Sequence, residues 1–490
     1  MEMNGLTDQK PHFLLVPLMA QGHMIPMIDM ACLIAERGAF VSFITTPVNA
    51  ARIRPIIDRV KIAGLPVKFL ELEFPCAEAG LPDGCENADL IPSVDLFLPF
   101  FEGLSLLQQQ LELYLKEVKP APTCIISDNV QWWTMNIARE LNIPRLIFHG
   151  PSCFFSLCTH NIRKYKVYEN VADDFETVLV PNLPHTITVS KAQEPGTWFH
   201  PPEYENFRNK VMKSEETADG VVINTFEELE SEYIKLYEKE IGQRVWPIGP
   251  LSLYNKDVTS KATRGKKASI DEHQISNWLD CMDQRSVVFV SFGSIAQNSP
   301  SQIIEIGCGL EASNQPFIWV IKESEKCPEV GDWMSSGFTE RTRERGLIIT
   351  GWAPQVVILS HPSVGGFMTH CGWNSTLEAI SAGLPMITCP HFSDQFLNEK
   401  LVVEVLKIGI SLGVKKPSSI DEKDQVRVKR DQVEKAIVSL MEGGEEAEER
   451  RLKARELGEM AQKATEEGGS SYENLTHLIQ FVTESAENGA

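Results

Sequence analysis

Short, continuous apolar runs alternate along this chain with stretches whose apolar residues recur at helical spacing. HFLLVP (12–17) reads as a buried strand, and PMIDMACLIAERG (26–38) as an amphipathic helix closed by a glycine. FVSFITTP (40–47), VKFLELEF (67–74), TCIISD (123–128), RLIFHG (145–150) and GVVINTF (220–226) continue the strand series, the last of them closing it. Apolar runs of this kind are buried on both faces, and strands alternating with helices build a parallel sheet wrapped on both sides.

The rhythm breaks after VWPIGPLSLY (245–254). KDVTSKATRGKKAS (256–269) is polar and basic, with the composition of an exposed loop or linker. Strands resume with SVVFVSFGS (286–294), PFIWVI (316–321), GLIIT (346–350), VGGFMTH (364–370) and LPMITCP (384–390). The pattern predicts an α/β protein of two Rossmann-like domains facing each other across a cleft, residues 1–249 and 250–472. EEAEERRLKARELGEMAQKATEEGG (445–469) has strong helical propensity and dense i,i+4 charge pairs. Residues 473–490 form a last amphipathic helix, expected to pack back on the first domain.

Composition narrows the function classes. A length of 490 residues exceeds one ordinary core, which agrees with two domains. The formal charge of −21 repels phosphate backbones and excludes a nucleic-acid partner, while one local pocket can still oppose the global field for a small anion. The 11 cysteines are scattered, without a C-x-x-C pair, which points to reduced thiols and a cytoplasmic protein. The N-terminus lacks a basic n-region, and no apolar stretch approaches the ~20 residues that span a bilayer. Nothing demands more than a monomer.

Two motifs mislead. GCGLEA (307–312) spells a dinucleotide fingerprint, G-x-G-x-x-A, but falls inside a helical run instead of the turn after a strand. His361, His370, Cys371, Cys389 and His391 suggest zinc, yet their spacings match no familiar zinc pattern. Neighbours in a strand point to opposite faces, which also disfavours Cys371 as a nucleophile with His370 as its base. No Asp-x-Asp occurs, so a metal-dependent nucleotide-sugar site lacks its usual mark.

THCGWNS (369–375) is more informative, because it sits where VGGFMT gives way to STLEAISAG. Ligands of open parallel sheets bind outside the carboxyl ends of strands, and a helix N-terminus offers free N–H groups with about half a positive charge. Gly372 would let the backbone approach an anion, with His370, Asn374 and Ser375 as side-chain donors. Asn374 or Ser375 is the expected cap, and Glu378 is spaced for a capping box with Ser375. The seven residues alone fit an anion cradle and an ordinary capped strand–turn–helix equally well.

Their surroundings separate the two. WAPQVVILSHPSVGGFMTHCGWNSTLEAISAGLPMITCPHFSDQ (352–395) closely resembles the signature box of plant family 1 UDP-dependent glycosyltransferases. The likeness extends to PHFLLVPLMAQGHMIPMIDMACLIAERG at the N-terminus, while FPCAEAGLPDGCEN resembles the subgroup that acts on flavonoids and triterpenoids. It implies the GT-B architecture, a UDP-sugar donor and a small lipophilic acceptor, with no metal and no other cofactor. Carried onto this chain, it puts Trp352 on uracil, the Ala353 backbone on the base edge, and Gln355 beside the ribose. Glu378 would accept the ribose hydroxyls, in competition with its capping role. His370, Asn374 and Ser375, helped by Ser294, would hold the phosphates. Asp394 and Gln395 would bind the sugar hydroxyls near Trp373, a pairing that goes with UDP-glucose. Cys389 departs from the Trp common there in the family.

His23 follows the first strand and Asp128 ends TCIISD, so both lie at the carboxyl edge of one sheet. Singly, each reads as a helix-capping residue. Together they form a carboxylate–imidazole base, the position at which the resemblance places the catalytic pair.

Overall fold

The computed structural model describes residues 10–194, 202–265, 268–418 and 425–489. The first domain is built on β1 (His12–Val16), β2 (Phe40–Thr45), β3 (Val67–Glu71), β4 (Cys124–Asp128) and β5 (Arg145–His149). An antiparallel hairpin of β6 (Thr177–Leu179) and β7 (Thr188–Ser190) stands apart, and β8 (Gly220–Ile223) and β9 (Val245–Pro247) complete the sheet. Its order is β3-β2-β1-β4-β5-β8-β9, with every pair parallel. The chain winds one way from β1 to β3 and the other way from β4 to β9. Between β1 and β4 the direction reverses, which opens a crevice at their carboxyl ends.

The second domain repeats the design. Its strands are β10 (Val287–Ser291), β11 (Phe317–Ile321), β12 (Gly346–Thr350), β13 (Val364–Thr369), β14 (Met386–Thr388) and β15 (Gly409–Ser411), in the order β12-β11-β10-β13-β14-β15. Here the reversal lies between β10 and β13, where Ser291 pairs with Thr369 at the carboxyl edge. Phe289 and Phe367, opposite each other on these strands, stack at 5.1 Å between centroids and fill the space beneath that crevice. The structure is thus α/β with two parallel sheets, as the apolar runs predicted.

Three sequence expectations need correction. GVVINTF does not close the first sheet, because Val245–Pro247 adds an edge strand too short to stand out and ending in a proline that only an edge tolerates. The segment 256–269 is not simply an exposed linker. It contains the helix Val258–Ala262, and Ser260, Ala262 and Arg264 are buried, because Arg59 donates to the Ser260 carbonyl and to Thr263. The cap of the helix that follows THCGWNS lies earlier than expected, as described below.

GCGLEA sits inside the Pro300–Ala312 helix, where Gly307 lets the Trp333 ring approach and Gly309 lets Val433 approach. Its glycines serve helix packing. The last helix, Ser470–Gly489, leaves the second domain and lies on the first. Leu475, Leu478 and Val482 recur at helical spacing and are buried in the first domain's core, and Phe481 meets Trp246 at 5.2 Å. Arg37 lies 3.8 Å above the Tyr472 ring, and Asn474 donates to the Pro247 carbonyl at 3.1 Å.

Candidate active site

His23 occupies the first turn of the Gln21–Glu36 helix, immediately beyond β1, and Asp128 is the last residue of β4. These are the two strands that flank the first reversal, so the topology brings the pair together. Asp128 is fully buried, and its Oδ2 lies 2.5 Å from His23 Nδ1. The carboxylate accepts, so Nδ1 carries the hydrogen and Nε2 is left as the basic nitrogen. Burial works against the imidazolium, but the charge and hydrogen bond of Asp128, with the charge of Asp394, outweigh it and raise the His23 pKa. Gly150, just past β5, carries the other side of the ring: a Cβ there would sit 2.6 Å from His23 Cε1.

Across the cleft, β13 ends at Thr369 and the chain turns sharply at Cys371, whose φ is 65°. That left-handed residue starts the helix early. The helix runs Trp373–Ser381 with Gly372 as its cap, so neither Asn374 nor Ser375 caps it and the capping box with Glu378 does not form. The side chains freed in this way face other tasks. Ser375 Oγ and Glu378 Oε2 both accept from Gln355 Nε2, at 2.9 and 2.8 Å. Asn374 donates to the Gly22 carbonyl, next to His23, and accepts from Asn224 at 3.3 Å. Trp373 is buried, and its indole N–H donates to the Asn224 carbonyl at 2.8 Å, joining the domains.

The His370 imidazole is wedged between Gly293 and Gly372, since a Cβ on either would come within 2.5 Å of Nε2. Burial and the Lys322 charge push its pKa down to about 3, so it is a neutral hydrogen-bonding group at pH 7. Its Nδ1 is buried with no hydrogen-bond partner among the described residues. Ser294 lies three residues beyond β10, on the same crevice. Asp394 accepts from Asn398 at 2.7 Å, and burial lifts its pKa to about 6. Gln395 Oε1 accepts from the His391 and Phe392 N–H groups at 2.8 and 3.1 Å, which fixes the loop that carries Asp394.

Trp352 is fixed by a reciprocal pair with Ser269: its N–H donates to Oγ at 2.9 Å, and its carbonyl accepts from the Ser269 N–H at 2.8 Å. Ala353 beside it is buried. Glu378 Oε1 is held by Arg264, whose Nε also donates to Asp29 Oδ2 at 2.7 Å. Arg264 and Gly150 were invisible as site residues in the sequence. The first lies in a segment whose composition reads as linker, and the second is a glycine at a strand end with no motif to mark it.

The zinc candidates do not converge. His361 pairs with Asp280 at 3.3 Å, and both His391 nitrogens contact protein oxygens, the Cys389 carbonyl at 2.9 Å and Asn298 Oδ1 at 3.1 Å. Among the described residues no group of three or more His, Cys, Asp or Glu is arranged to hold a metal ion. None of the described helices is long and apolar enough to cross a membrane.

Two family models match the chain, "Glycosyltransferase, N-terminal domain" over residues 12–253 and "UDP-glucoronosyl and UDP-glucosyl transferase" over residues 204–436. UDP-glycosyltransferase 73C3 of Arabidopsis thaliana is 48% identical over 480 residues, 97% of both chains. The chain belongs to the plant family 1 UDP-glycosyltransferases. UDP-glycosyltransferase 73E1 of Stevia rebaudiana is likewise 48% identical, over 96% of each chain. Among solved structures, Glycyrrhiza uralensis UGT73P12, complexed with glycyrrhetinic acid 3-O-monoglucuronide, matches this glycosyltransferase with a TM-score of 0.90 at 36% identity. That match covers 98% of this chain and 97% of the other. Arabidopsis thaliana UGT89C1, complexed with UDP-L-rhamnose, gives a TM-score of 0.75 at 28% identity, over 97% of this chain and all of its own. The glycosyltransferase therefore has the GT-B architecture.

Proposed function

We propose that this glycosyltransferase moves glucose from UDP-glucose to a hydroxyl of a lipophilic small molecule, in one metal-free displacement that inverts the anomeric carbon. The observation that carries the reading is the His23–Asp128 pair, set at one sheet reversal and electrostatically coupled to Asp394 on the opposite domain. His23 Nε2 takes the acceptor proton as the oxygen attacks the anomeric carbon, and Asp128 stabilises the imidazolium that forms. Charge then builds on the departing UDP.

The start of the Trp373–Ser381 helix receives that charge, with His370, Gly372, Asn374, Ser375 and Ser294 around the diphosphate. One preorganised donor of this kind contributes about 10²–10³ in rate. A buried ring nitrogen without a partner, His370 Nδ1, suits a phosphate oxygen as acceptor or a bound hydroxyl as donor. Trp352 and Ala353 take the uracil, Gln355 and Glu378 the ribose, and Asp394 and Gln395 the sugar hydroxyls beside Trp373. The Trp373–Gln395 combination supports glucose. Cys389 is buried in the core of the second domain, away from solvent, so its departure from the family Trp bears on packing.

The structural likeness to a protein complexed with a glucuronide of glycyrrhetinic acid supports a bulky lipophilic acceptor such as a triterpenoid or flavonoid. A donor other than UDP-glucose is the second reading, favoured by the likeness to a protein complexed with UDP-L-rhamnose. A non-catalytic binder would have no use for a base coupled to a buried carboxylate. The described cysteines are free thiols, mostly buried, which supports a reducing, cytosolic setting. A panel of UDP-glucose, UDP-galactose, UDP-xylose and UDP-rhamnose against flavonols, triterpenoids and simple phenols tests the reading. Turnover fastest with UDP-glucose and undiminished in excess chelator is expected; equal or faster turnover with another donor overturns the glucose assignment.

A further inference from the structure

Arg264 belongs to a segment with no assigned role, yet it is among the most enclosed charged residues in the molecule. Its side chain is 6% exposed, and it stands between Asp29 at 3% and Glu378 at 7%. Asp29 lies on the Gln21–Glu36 helix, which also carries His23, and Glu378 on the Trp373–Ser381 helix. One guanidinium therefore joins the helix of the base to the helix of the diphosphate cradle. The rest of the segment is anchored on both sides. Asn255 donates to Asp29 Oδ1 at 2.9 Å, and Arg59 Nη2 donates to Asn255 Oδ1 at 3.1 Å. On the other side Ser269 holds the Trp352 backbone, and Gly265 (φ 104°) lies so close to the Trp352 ring that a Cβ would come within 2.7 Å of Cζ2.

An ionised carboxylate has about four lone-pair sites. Glu378 uses one on each oxygen, Oε1 for Arg264 and Oε2 for Gln355. One site per oxygen is left, enough for two neighbouring hydroxyls. Arg264 reaches Glu378 through Nη1 and Asp29 through Nε, and with Gln355 on the other oxygen the carboxylate is held at both ends; a single flexible ammonium could not span the two carboxylates in this way.

We infer that Arg264 is a positioning residue for donor recognition: it sets the Glu378 carboxylate in the plane that receives the two ribose hydroxyls of the nucleotide, and ties that carboxylate to the helix bearing His23. The inference rests on the donor reading given above. Asp29 is the anchor on the other arm of the guanidinium. The linker between the domains thereby becomes part of the nucleotide site, although Arg264 itself need not touch the nucleotide.

Calorimetric binding of UDP and 2′-deoxy-UDP to the full chain separates this role from a merely structural one. Wild type is expected to prefer UDP by about 10-fold or more, the worth of one hydrogen bond to a charged group. In Arg264→Met the UDP affinity falls about 10-fold and the preference for UDP over 2′-deoxy-UDP shrinks towards one, on the same scale. In a Glu378→Gln background the Arg264→Met change has no further effect on that preference. Arg264→Lys, which keeps the charge but cannot span both carboxylates, retains only part of the preference, and it carries the test alone if the Met variant does not fold. Wild-type affinity and preference in the Arg264 variants, with both lost in Glu378→Gln, overturns the inference and leaves the donor reading standing. Failure of the wild-type protein to bind either nucleotide overturns the donor reading itself.

Discussion

His23 Nδ1 and Asp128 Oδ2 lie 2.5 Å apart, although 105 residues separate them in sequence. The reversal between β1 and β4 closes that gap, and in the proposed reaction the pair supplies the base. His23→Ala is expected to abolish turnover while UDP affinity stays within a few-fold of wild type, since the proposed reading puts His23 on the acceptor side. Asp128→Asn removes the hydrogen-bonded charge that raises the His23 pKa and leaves burial, which lowers it. Its kcat is expected to fall by about 10²–10⁴, the usual worth of a positioned base. The sign for pH follows directly. A base with a raised pKa loses activity as pH falls through that pKa, so the acid limb of kcat/KM moves to lower pH in Asp128→Asn. An unmoved acid limb in the variant assigns that limb to another group.

Gly150 offers a subtler perturbation of the same pair. A Cβ there would meet His23 Cε1 at 2.6 Å, well inside van der Waals contact, and it belongs to a strand end with little freedom to retreat. Gly150→Ala should turn the imidazole off Asp128 without altering any charge. We expect kcat to drop by about 10²-fold, the cost of a displacement near 1 Å, with the UDP dissociation constant unchanged. A steady-state assay paired with calorimetry reads both quantities.

On the donor side the same logic applies to His370. Gly293, at φ 71°, leaves no room for a side chain beside its ring and adopts a backbone conformation that disfavours one. Gly293→Ala and His370→Ala should therefore resemble each other, each weakening UDP binding by about 10-fold, the scale of one lost hydrogen bond to a charged group. His370 is neutral well above its pKa of about 3, so this weakening should be the same from pH 6 to pH 8. A marked pH dependence would mean that the histidine acts as a cation.

How much of this site the sequence revealed depends on the scale of the signal. The parallel sheets are legible because β1, β4, β10 and β13 are continuous apolar runs, and the resemblance of residues 352–395 to a family box points to the donor half proposed above. Val245–Pro247 and Gly409–Ser411 escaped, because three residues carry too little periodicity. The helix after THCGWNS starts earlier than its sequence predicts: Asn374 and Ser375 are good caps by type, but Cys371 takes a positive φ and Gly372 is the cap. Arg264 carries no mark in the sequence for a related reason. Its neighbours are polar, and only the folded chain shows two buried carboxylates converging on it.

The C-terminal helix supplies a stability test remote from the chemistry. Leu478, on the Ser470–Gly489 helix, is fully buried in the core of the first domain. Leu478→Ala should destabilise the protein by about 2–5 kcal/mol, the transfer term plus the cavity left behind. Thermal unfolding should show a lower Tm with unchanged kinetic constants at temperatures where the variant stays folded. Unchanged Tm would mean that this helix is not part of the cooperative unit.

Asp394 should make donor recognition pH-dependent. Burial lifts its pKa to about 6, so the carboxyl is ionised at pH 7.5 and largely protonated at pH 5. As a carboxylate it only accepts hydrogen bonds, and sugar hydroxyls are donors to it; as an acid it loses part of that capacity. The KM for UDP-glucose is therefore expected to rise as pH falls through about 6. Asp394→Asn removes the ionisation, so its KM should be flat across this range and about 10-fold above the wild-type value at pH 7.5, the cost of losing a charged acceptor. Affinity for UDP alone, which lacks the sugar, should be the same in both proteins. His23 also feels the Asp394 charge, which raises its pKa, so the variant's kcat/KM acid limb should shift slightly towards lower pH. A KM that rises equally in Asp394→Asn would assign the ionisation to a different group.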